Sequence, residues 1–449
     1  MRPVKRRDVV KAATGGLVFG TIPGSVTGRS ERSNADRGNG PGYEIWAADQ
    51  GTNTLYVYRP HRRGRGEPEF RLQDVVDLGA RGIETPHMIS YSSDYQYALT
   101  ANTGSGDVAV IHTPSKRIIG VIDTGPGSHF AGFTPDDEYI HVDVIGEGTI
   151  KRVDADLRHE EFDIVDEINV ADAVEGLVDE ERYGEFQEDD EELRPICHDY
   201  TADGHSYHTL GPSYHNAGLV ILDAETFELE AAFPPTEVPT NCGTIAHPER
   251  DRFYLTAGLP SDPDDDDLDG VGEWYVFDTT THRPIDTGGE TLETDEEIDP
   301  EDIARDSGGV DAHGFWFTET DELELWLLNR ETNDGIVVDP SDDEATEPDD
   351  DSVTPIEKFG PDTSAPPDGD SPDIMWSSPD DEYMFVTLRG AKPLSGDPHA
   401  ATGVNPGFSV LDIETREFVE VVQPDPENEN SDFHGIGVRP VDGASNRGR

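Results

Sequence analysis

Alternation of apolar and polar side chains first becomes regular over Pro86 to Asn102, PHMISYSSDYQYALTAN. It predicts two short strands joined by a tight polar turn: His87 to Tyr91, then Ser92, Ser93 and Asp94, then Tyr95 through Ala101. Asp107 to His112 (DVAVIH) alternates again, and Arg117 to Asp123 (RIIGVID) completes four antiparallel strands in about forty residues. Four strands per period is the pattern of a propeller blade.

Aligned on its turn, the unit recurs along the chain. His129 to Asp136 (HFAGFTPD), Ile196 to Asp203 (ICHDYTAD), Cys242 to Glu249 (CGTIAHPE), His313 to Thr320 (HGFWFTET) and Asp373 to Asp380 (DIMWSSPD) repeat the entry strand and turn. Later strands such as GLVILD, WYVFD, GIVVD and FSVLD follow them. His434 to Pro440 (HGIGVRP) is an entry strand with nothing after it, whereas EIWAADQGTNTLYVY, from Glu44, lacks one. Joined, these ends make a seventh blade and close the ring, which leaves only short, protected sheet edges. The expected fold is all-β: a single seven-bladed propeller over residues 43–440, with four-stranded antiparallel blades. Acidic inserts at Ala171 to Leu193, Ser261 to Gly270, Gly288 to Gly309, Ser341 to Asp370 and Ala391 to Pro406 fall between strands or blades and read as loops.

Residues 1–28 read as an address. Arg6-Arg7 with Lys11 precedes a short apolar run, Ala12 to Gly24, too brief to span a bilayer, which is the pattern of a twin-arginine (Tat) signal. Residues 29–42 read as a polar linker and 441–449 as a disordered tail. The expectation is a Tat-exported monomer without a transmembrane segment, extracellular or associated with the cell envelope. Charge then changes the picture: 33 Lys+Arg against 96 Asp+Glu give a net −63, with a hydrophobic fraction of 34%. Such a balance usually means disorder. Here the strands stay apolar and alternating while the acid gathers in turns and inserts. That distribution suits a halophile's surface in multimolar salt, where charge is screened within a few ångströms. Nucleic acid and anionic membrane are poor partners for it, which leaves a protein or small-molecule partner.

The turn alignment also picks out one position per blade, the first of each entry strand: His434, His87, His129, Ile196, Cys242, His313 and Asp373. In the copy with Ile196, His198 sits two residues on, which is the same face of a strand. First strands line a propeller's channel. The candidate metal ligands are therefore His87, His129, His198, Cys242, His313, Asp373 and His434, a set that suits copper or another transition metal. His87, His129 and His434, from neighbouring blades, form the best facial group. The plainer alternative is a polar channel lining that satisfies backbone ends and buried water. Cys197 and Cys242 open consecutive entry strands; a disulfide, free thiols and metal-bound thiolates all stay open, with the spread between neighbouring inner strands speaking against the bridge. Asp265, Asp267, Asp269 and Gly270 match the start of a calcium loop, but Val276 stands where its bidentate glutamate belongs, and a solvated acidic loop is the simpler reading. The sequence has no G-x-S-x-G nucleophile elbow, Gly-rich phosphate loop or dinucleotide fingerprint.

The segments PHMISYSSDYQYALTAN, FTPDDEYIHV and WSSPDDEYMFVTLRG, with following strands such as FSVLDIETREFVEVV, resemble the YVTN-type β-propeller repeats of exported prokaryotic proteins. The family's usual turn is Ser-Pro-Asp-Gly; this chain often has Asp-Asp there. The resemblance covers nearly all of the chain after the signal and implies the fold more than any one activity. Relatives range from surface proteins to lactonases, amine dehydrogenase heavy subunits and the propeller of nitrous oxide reductase, in which inner-strand histidines hold a copper cluster. Three expectations follow, led by an exported binding or scaffold protein. The others are a copper-dependent redox enzyme or metal carrier with a His-lined channel, and a lactonase-like hydrolase.

Overall fold

In a computed structural model, which describes residues 42–61, 68–186, 193–211, 217–261, 270–320, 322–361, 364 and 366–441, the alternating segments form seven antiparallel sheets. The expected signal, nearly all of the linker, most of the tail and Asp265, Asp267 and Asp269 lie outside the described residues. Blade 1 pairs Phe433–Pro440 with Tyr43–Asp49, Thr54–His61 and Glu69–Asp77. Blade 2 is Pro86–Tyr91, Tyr97–Asn102, Asp107–His112 and Arg117–Asp123; blade 3 is Ser128–Phe133, Tyr139–Val144, Thr149–Asp156 and Glu161–Asn169. Blade 4 runs Arg194–Tyr200, His205–Gly211, Leu219–Asp223 and Glu228–Phe233. Blade 5 has Thr244–Ala246, Arg252–Thr256, Glu273–Asp278 and Arg283–Pro284, plus Arg305–Asp306 paired to its third strand. Blade 6 comprises Ala312–Glu319, Leu323–Asn329, Asp334–Val338 and Val353–Ile356, and blade 7 Pro372–Ser377, Tyr383–Leu388, Gly407–Asp412 and Phe418–Val422.

Each inner strand touches the next around a closed cycle, from Pro86–Tyr91 through to Phe433–Pro440 and back. Blades pack face to face, so their middle strands are apolar on both sides. Leu99, Ala101, Val108 and Val110 of blade 2 share one core cluster with Ile140, Val142 and Val144 of blade 3. Outer strands have a solvent side and recover the alternation: in Arg117–Asp123, Val121 is exposed and Ile122 buried.

The expected seven-bladed ring with shared terminal blade is what forms, but one insert is more than a loop. Val170–Leu177 is a helix capped by Asn169, whose side chain accepts from the Asp172 amide. Val170 and Val174, one turn apart, are buried in a cluster with Leu210, Ala217 and Val220 of blade 4. A second short helix spans Glu180–Glu185, and single helical turns lie at Pro300–Ile303 and Pro398–Ala401.

Strand order fixes which end of the ring each loop occupies. Every inner strand starts at the same mouth, so blade-to-blade connections and second-to-third-strand loops emerge there, while first-to-second and third-to-fourth turns emerge at the other. The insert over 391–406 and the described parts of 171–193 therefore stand at the entry mouth, whereas that over 288–309 begins at the opposite end, where Gly288 bridges Glu344 and Thr291 meets Asp278, and only its last residues, beside Gly272, return to the entry mouth. Residues 341–352, between the third and fourth strands of blade 6, stand at the opposite end.

Candidate functional site

The axial residues are aimed by a repeated irregularity. Each of five inner strands slips register near its start: between Pro86 and Met88, Ser128 and Phe130, Pro195 and Cys197, Ala312 and Phe315, and Pro372 and Met375. A residue inside such a bulge leaves the ladder and re-aims its side chain. Those residues include His87, His129, Ile196, His313 and Asp373.

They meet in a layer across the axis, just inside the entry mouth. The ring of His87 stacks on His434 with centroids 3.7 Å apart and meets the edge of His129 at 4.1 Å. His434 Nε2 lies 3.4 Å from Asp373 Oδ2, and His313 Nδ1 donates to the Asp373 carbonyl at 3.0 Å. Asp373 is fully buried and takes Arg389 at 2.7 Å, with Arg330 3.6 Å away. Two further carboxylates hold those guanidiniums: Asp432 grips Arg389 through both oxygens at 2.8 and 2.9 Å, and Asp311 grips Arg330 at 2.7 and 3.1 Å. The insert over 391–406 covers this layer, since Arg389 donates to the Ser395 carbonyl at 2.9 Å and the Leu394 amide to Asp432 at 2.8 Å. Gln50 joins the two halves, accepting from His87 Nδ1 at 3.1 Å and donating to Ser395 Oγ at 3.1 Å.

Burial keeps the imidazoles neutral. It pushes the pKa values of His87 and His434 well below the ordinary range and those of His129 and His313 down to about 4, with neighbouring imidazoles or guanidiniums adding to the effect at His87, His313 and His434. Burial alone would raise Asp373, but Arg389, His313 and Arg330 outweigh it and hold the carboxylate low. His87 Nε2 and His434 Nδ1 are buried without hydrogen-bond partners, while His129 Nδ1 donates to the Ile196 carbonyl at 2.9 Å.

Two of the expected ligands leave this set. Cys242 is bonded to Cys197 and so offers no thiolate; the inner strands of blades 4 and 5 converge enough near the axis to bring the Cα atoms to 5.5 Å, contrary to the spread expected from the sequence. His198 does not join the layer. The bulge at Ile196 breaks the parity between positions 196 and 198, so Cys197 is the residue beside His129, at 3.8 Å, and His198 turns into the interface between blades 3 and 4. There Asp143, fully buried, accepts from His198 Nδ1 at 2.6 Å and from His208 Nδ1 at 2.7 Å. Burial raises the Asp143 pKa, and the two imidazoles more than reverse this. His208 Nε2 meets Ser206 Oγ at 2.9 Å and His198 Nε2 is unpartnered.

Among the described residues, three trios have metal-donor atoms all within 4.8 Å of one another: His129–Cys197–Cys242, Asp143–His198–His208 and His205–Glu230–His282. The sequence reading missed Asp143, His208, His205, Glu230 and His282. One signal was available, an acid flanked by apolar neighbours in YIHVDV, which marks Asp143 as a carboxylate that must find a buried partner. No helix among the described residues is long and apolar enough to cross a membrane.

No protein-family model matches the sequence, and no curated protein matches it. Among solved structures the chain is similar to hydrazine synthase of Kuenenia stuttgartiensis, at 12% identity over 73% of this chain and 77% of that one, with a TM-score of 0.48. It is also similar to the dihydro-heme d1 dehydrogenase NirN in complex with DHE, at 11% identity over 88% and 74%, with a TM-score of 0.49. The Dos1 propeller matches at 13% identity over 87% and 82%, with a TM-score of 0.48.

Proposed function

We propose that this chain is an exported, YVTN-type binding propeller of a halophile's envelope, and that it takes its ligand at the entry mouth. One observation carries the reading: the insert over 391–406, with the described parts of 171–193, stands at the mouth where the axial layer sits, and long loops on a rigid ring are where propellers and other repeat folds carry recognition. Leu394, 54% exposed, stands on the insert tied to Arg389 and Gln50. The test places a photo-cross-linking residue at Leu394 or at Val121, which is 47% exposed on an outer strand, in the producing cell. A discrete adduct from position 394 and none from 121 is expected. Equal labelling from both, or none from 394, overturns the assignment.

A second reading, a copper carrier, rests on the axial imidazoles. Neutral imidazole is the metal-binding form, and His87 Nε2 and His434 Nδ1 lack partners. Arg389 and Arg330 crowd the Asp373 side, so His87, His129 and His434 are the residues that would hold the ion. Elemental analysis of the exported protein tests this: about one equivalent of copper, lost in the His87→Ala/His434→Ala double variant, supports it. Metal retained by that variant, or none in the parent, leaves the layer as channel lining. The lactonase-like alternative rests on the fold alone.

A further inference from the structure

We propose a second, peripheral site for a zinc-class divalent ion, formed by His205, Glu230 and His282 on the outer turns that join blades 4 and 5. His205 opens the second strand of blade 4, Glu230 lies on that blade's fourth strand, and His282 sits in the third-to-fourth-strand turn of blade 5. Glu230 Oε2 is 3.0 Å from His205 Nε2 and 3.6 Å from His282 Nε2. The two rings stand edge to face with centroids 4.5 Å apart. All three donor atoms lie within 4.8 Å of one another, and donor-to-donor distances of about 3.3 Å are what bonds of about 2.0 to 2.1 Å to one tetrahedral ion require.

The remaining ring nitrogens point the same way. His282 Nδ1 is 2.9 Å from the hydroxyl of Tyr207, a fully buried residue, and His205 Nδ1 is 3.3 Å from Asp203 Oδ1. The Tyr207 hydroxyl thus partners His282 Nδ1, His205 Nδ1 faces the Asp203 carboxylate without a formed hydrogen bond, and both rings turn Nε2 towards Glu230. Such outer partners fix the tautomer and the ring direction of metal-binding histidines. Two imidazole nitrogens and one carboxylate oxygen favour zinc and its late first-row neighbours over calcium or magnesium, which prefer oxygen alone. Glu230 is on the exposed side, so a fourth coordination position faces solvent.

The competing explanation is an ordinary clasp between blades. The equivalent turn residue in four other blades also reaches the preceding blade: Lys116 contacts Glu44, Glu160 pairs with Arg117, Phe227 takes the Arg152 guanidinium over its ring, and Arg416 pairs with Glu324. Those clasps join opposite charges or a cation and an aromatic ring. The clasp at His282 gathers only metal donors, with the rings already oriented.

The experiment is zinc titration of the metal-stripped full chain in concentrated KCl, by calorimetry and thermal unfolding. His282→Asn is the key variant, because φ at 282 is +53° and asparagine tolerates that conformation. One zinc per chain with a rise in Tm is expected. His282→Asn or Glu230→Gln should weaken binding at least about 100-fold, and Tyr207→Phe about 10-fold. The His87→Ala/His434→Ala variant should keep this site, which separates it from any ion on the axis. Absence of zinc binding, or binding that His282→Asn leaves unchanged, overturns the proposal.

Discussion

At the scale of single residues, the departures from the usual propeller turn have a physical use. The position that favours glycine in a Ser-Pro-Asp-Gly turn is held in the left-handed region: Gly204 at φ +95°, but Tyr95 at +57°, Asp137 at +59° and Asp381 at +48°. Aspartate tolerates that conformation better than most residues, and here its carboxylate reaches the preceding blade. Asp137 accepts from the Ser93 amide at 2.9 Å and from Ser93 Oγ at 2.5 Å; Asp381 accepts from the Glu319 amide at 3.3 Å. Replacing Asp137 separates the two effects. Asp137→Gly loses the clasp but relaxes the backbone, whereas Asp137→Ala loses the clasp and keeps the strain. The alanine variant should therefore be the less stable by about 1 kcal/mol in urea unfolding at high salt. The axial imidazoles make a second residue-scale prediction. Their folded pKa values lie below the unfolded value of about 6.5, so the unfolded chain binds protons first as pH falls. Their contribution is complete above about pH 6.5 and is lost as pH drops towards 4. The urea midpoint, measured in concentrated KCl, should fall over that window, and His313→Gln should make the fall shallower.

At the scale of elements, ring closure rests on one carboxylate. Glu44, fully buried on the N-terminal strand of blade 1, accepts from Arg439 of the C-terminal strand at 2.9 Å, from Lys116 of blade 2 at 2.6 Å and from Arg59 on the next strand. Burial alone would raise its pKa, but Lys116, Arg59 and Arg439 bring it to about 2. The stability it contributes is present above about pH 4.5 and lost as pH falls through 2. Glu44→Gln strands the cations and should cost about 3 to 5 kcal/mol, measured by urea unfolding at pH 7. It should also flatten the acid limb below pH 4.5. Much of this architecture was legible: the period-2 strands and their Ser/Thr-x-Asp turns locate the blades, and the turn alignment locates His87, His129, His313, Asp373 and His434. His198 was misplaced because side-chain parity holds only along an unbroken pleat, and the bulge between Pro195 and Cys197 resets it. Arg330 and Arg389 follow second strands, and His282 occupies a left-handed turn; no alignment of entry strands reaches them. The Val170–Leu177 helix was hidden by the acid around it, although Asn169 and the Val170/Val174 pair are a cap and a buried stripe.

For the whole molecule, the opposition is between a ring locked by buried pairs and a surface crowded with like charge. The net −63 is spread over turns, outer strands and inserts, while the axial and closing ion pairs are buried. Screening acts unequally on these two populations. The Debye length is about 3 Å at 1 M salt and about 10 Å at 0.1 M, so dilution turns on repulsion among surface carboxylates but scarcely strengthens buried pairs. Both mouths carry acidic inserts, and their self-repulsion opposes the compact state. Lowering KCl from multimolar to about 0.1 M at pH 7 should therefore lower Tm by on the order of 10 °C or more, as several kcal/mol of repulsion returns. Reduction of the Cys197–Cys242 bridge should deepen the loss, because that bond joins inner strands of blades 4 and 5 and limits the freedom of the chain once they part. Neutralising Glu290, Glu293, Glu296 and Glu297 of the 288–309 insert to glutamine supplies the discriminating measurement. If repulsion is the cause, this variant should lose less Tm on dilution than the parent while matching it at high salt. A Tm that stays flat from multimolar to low salt rejects the high-salt reading of the surface.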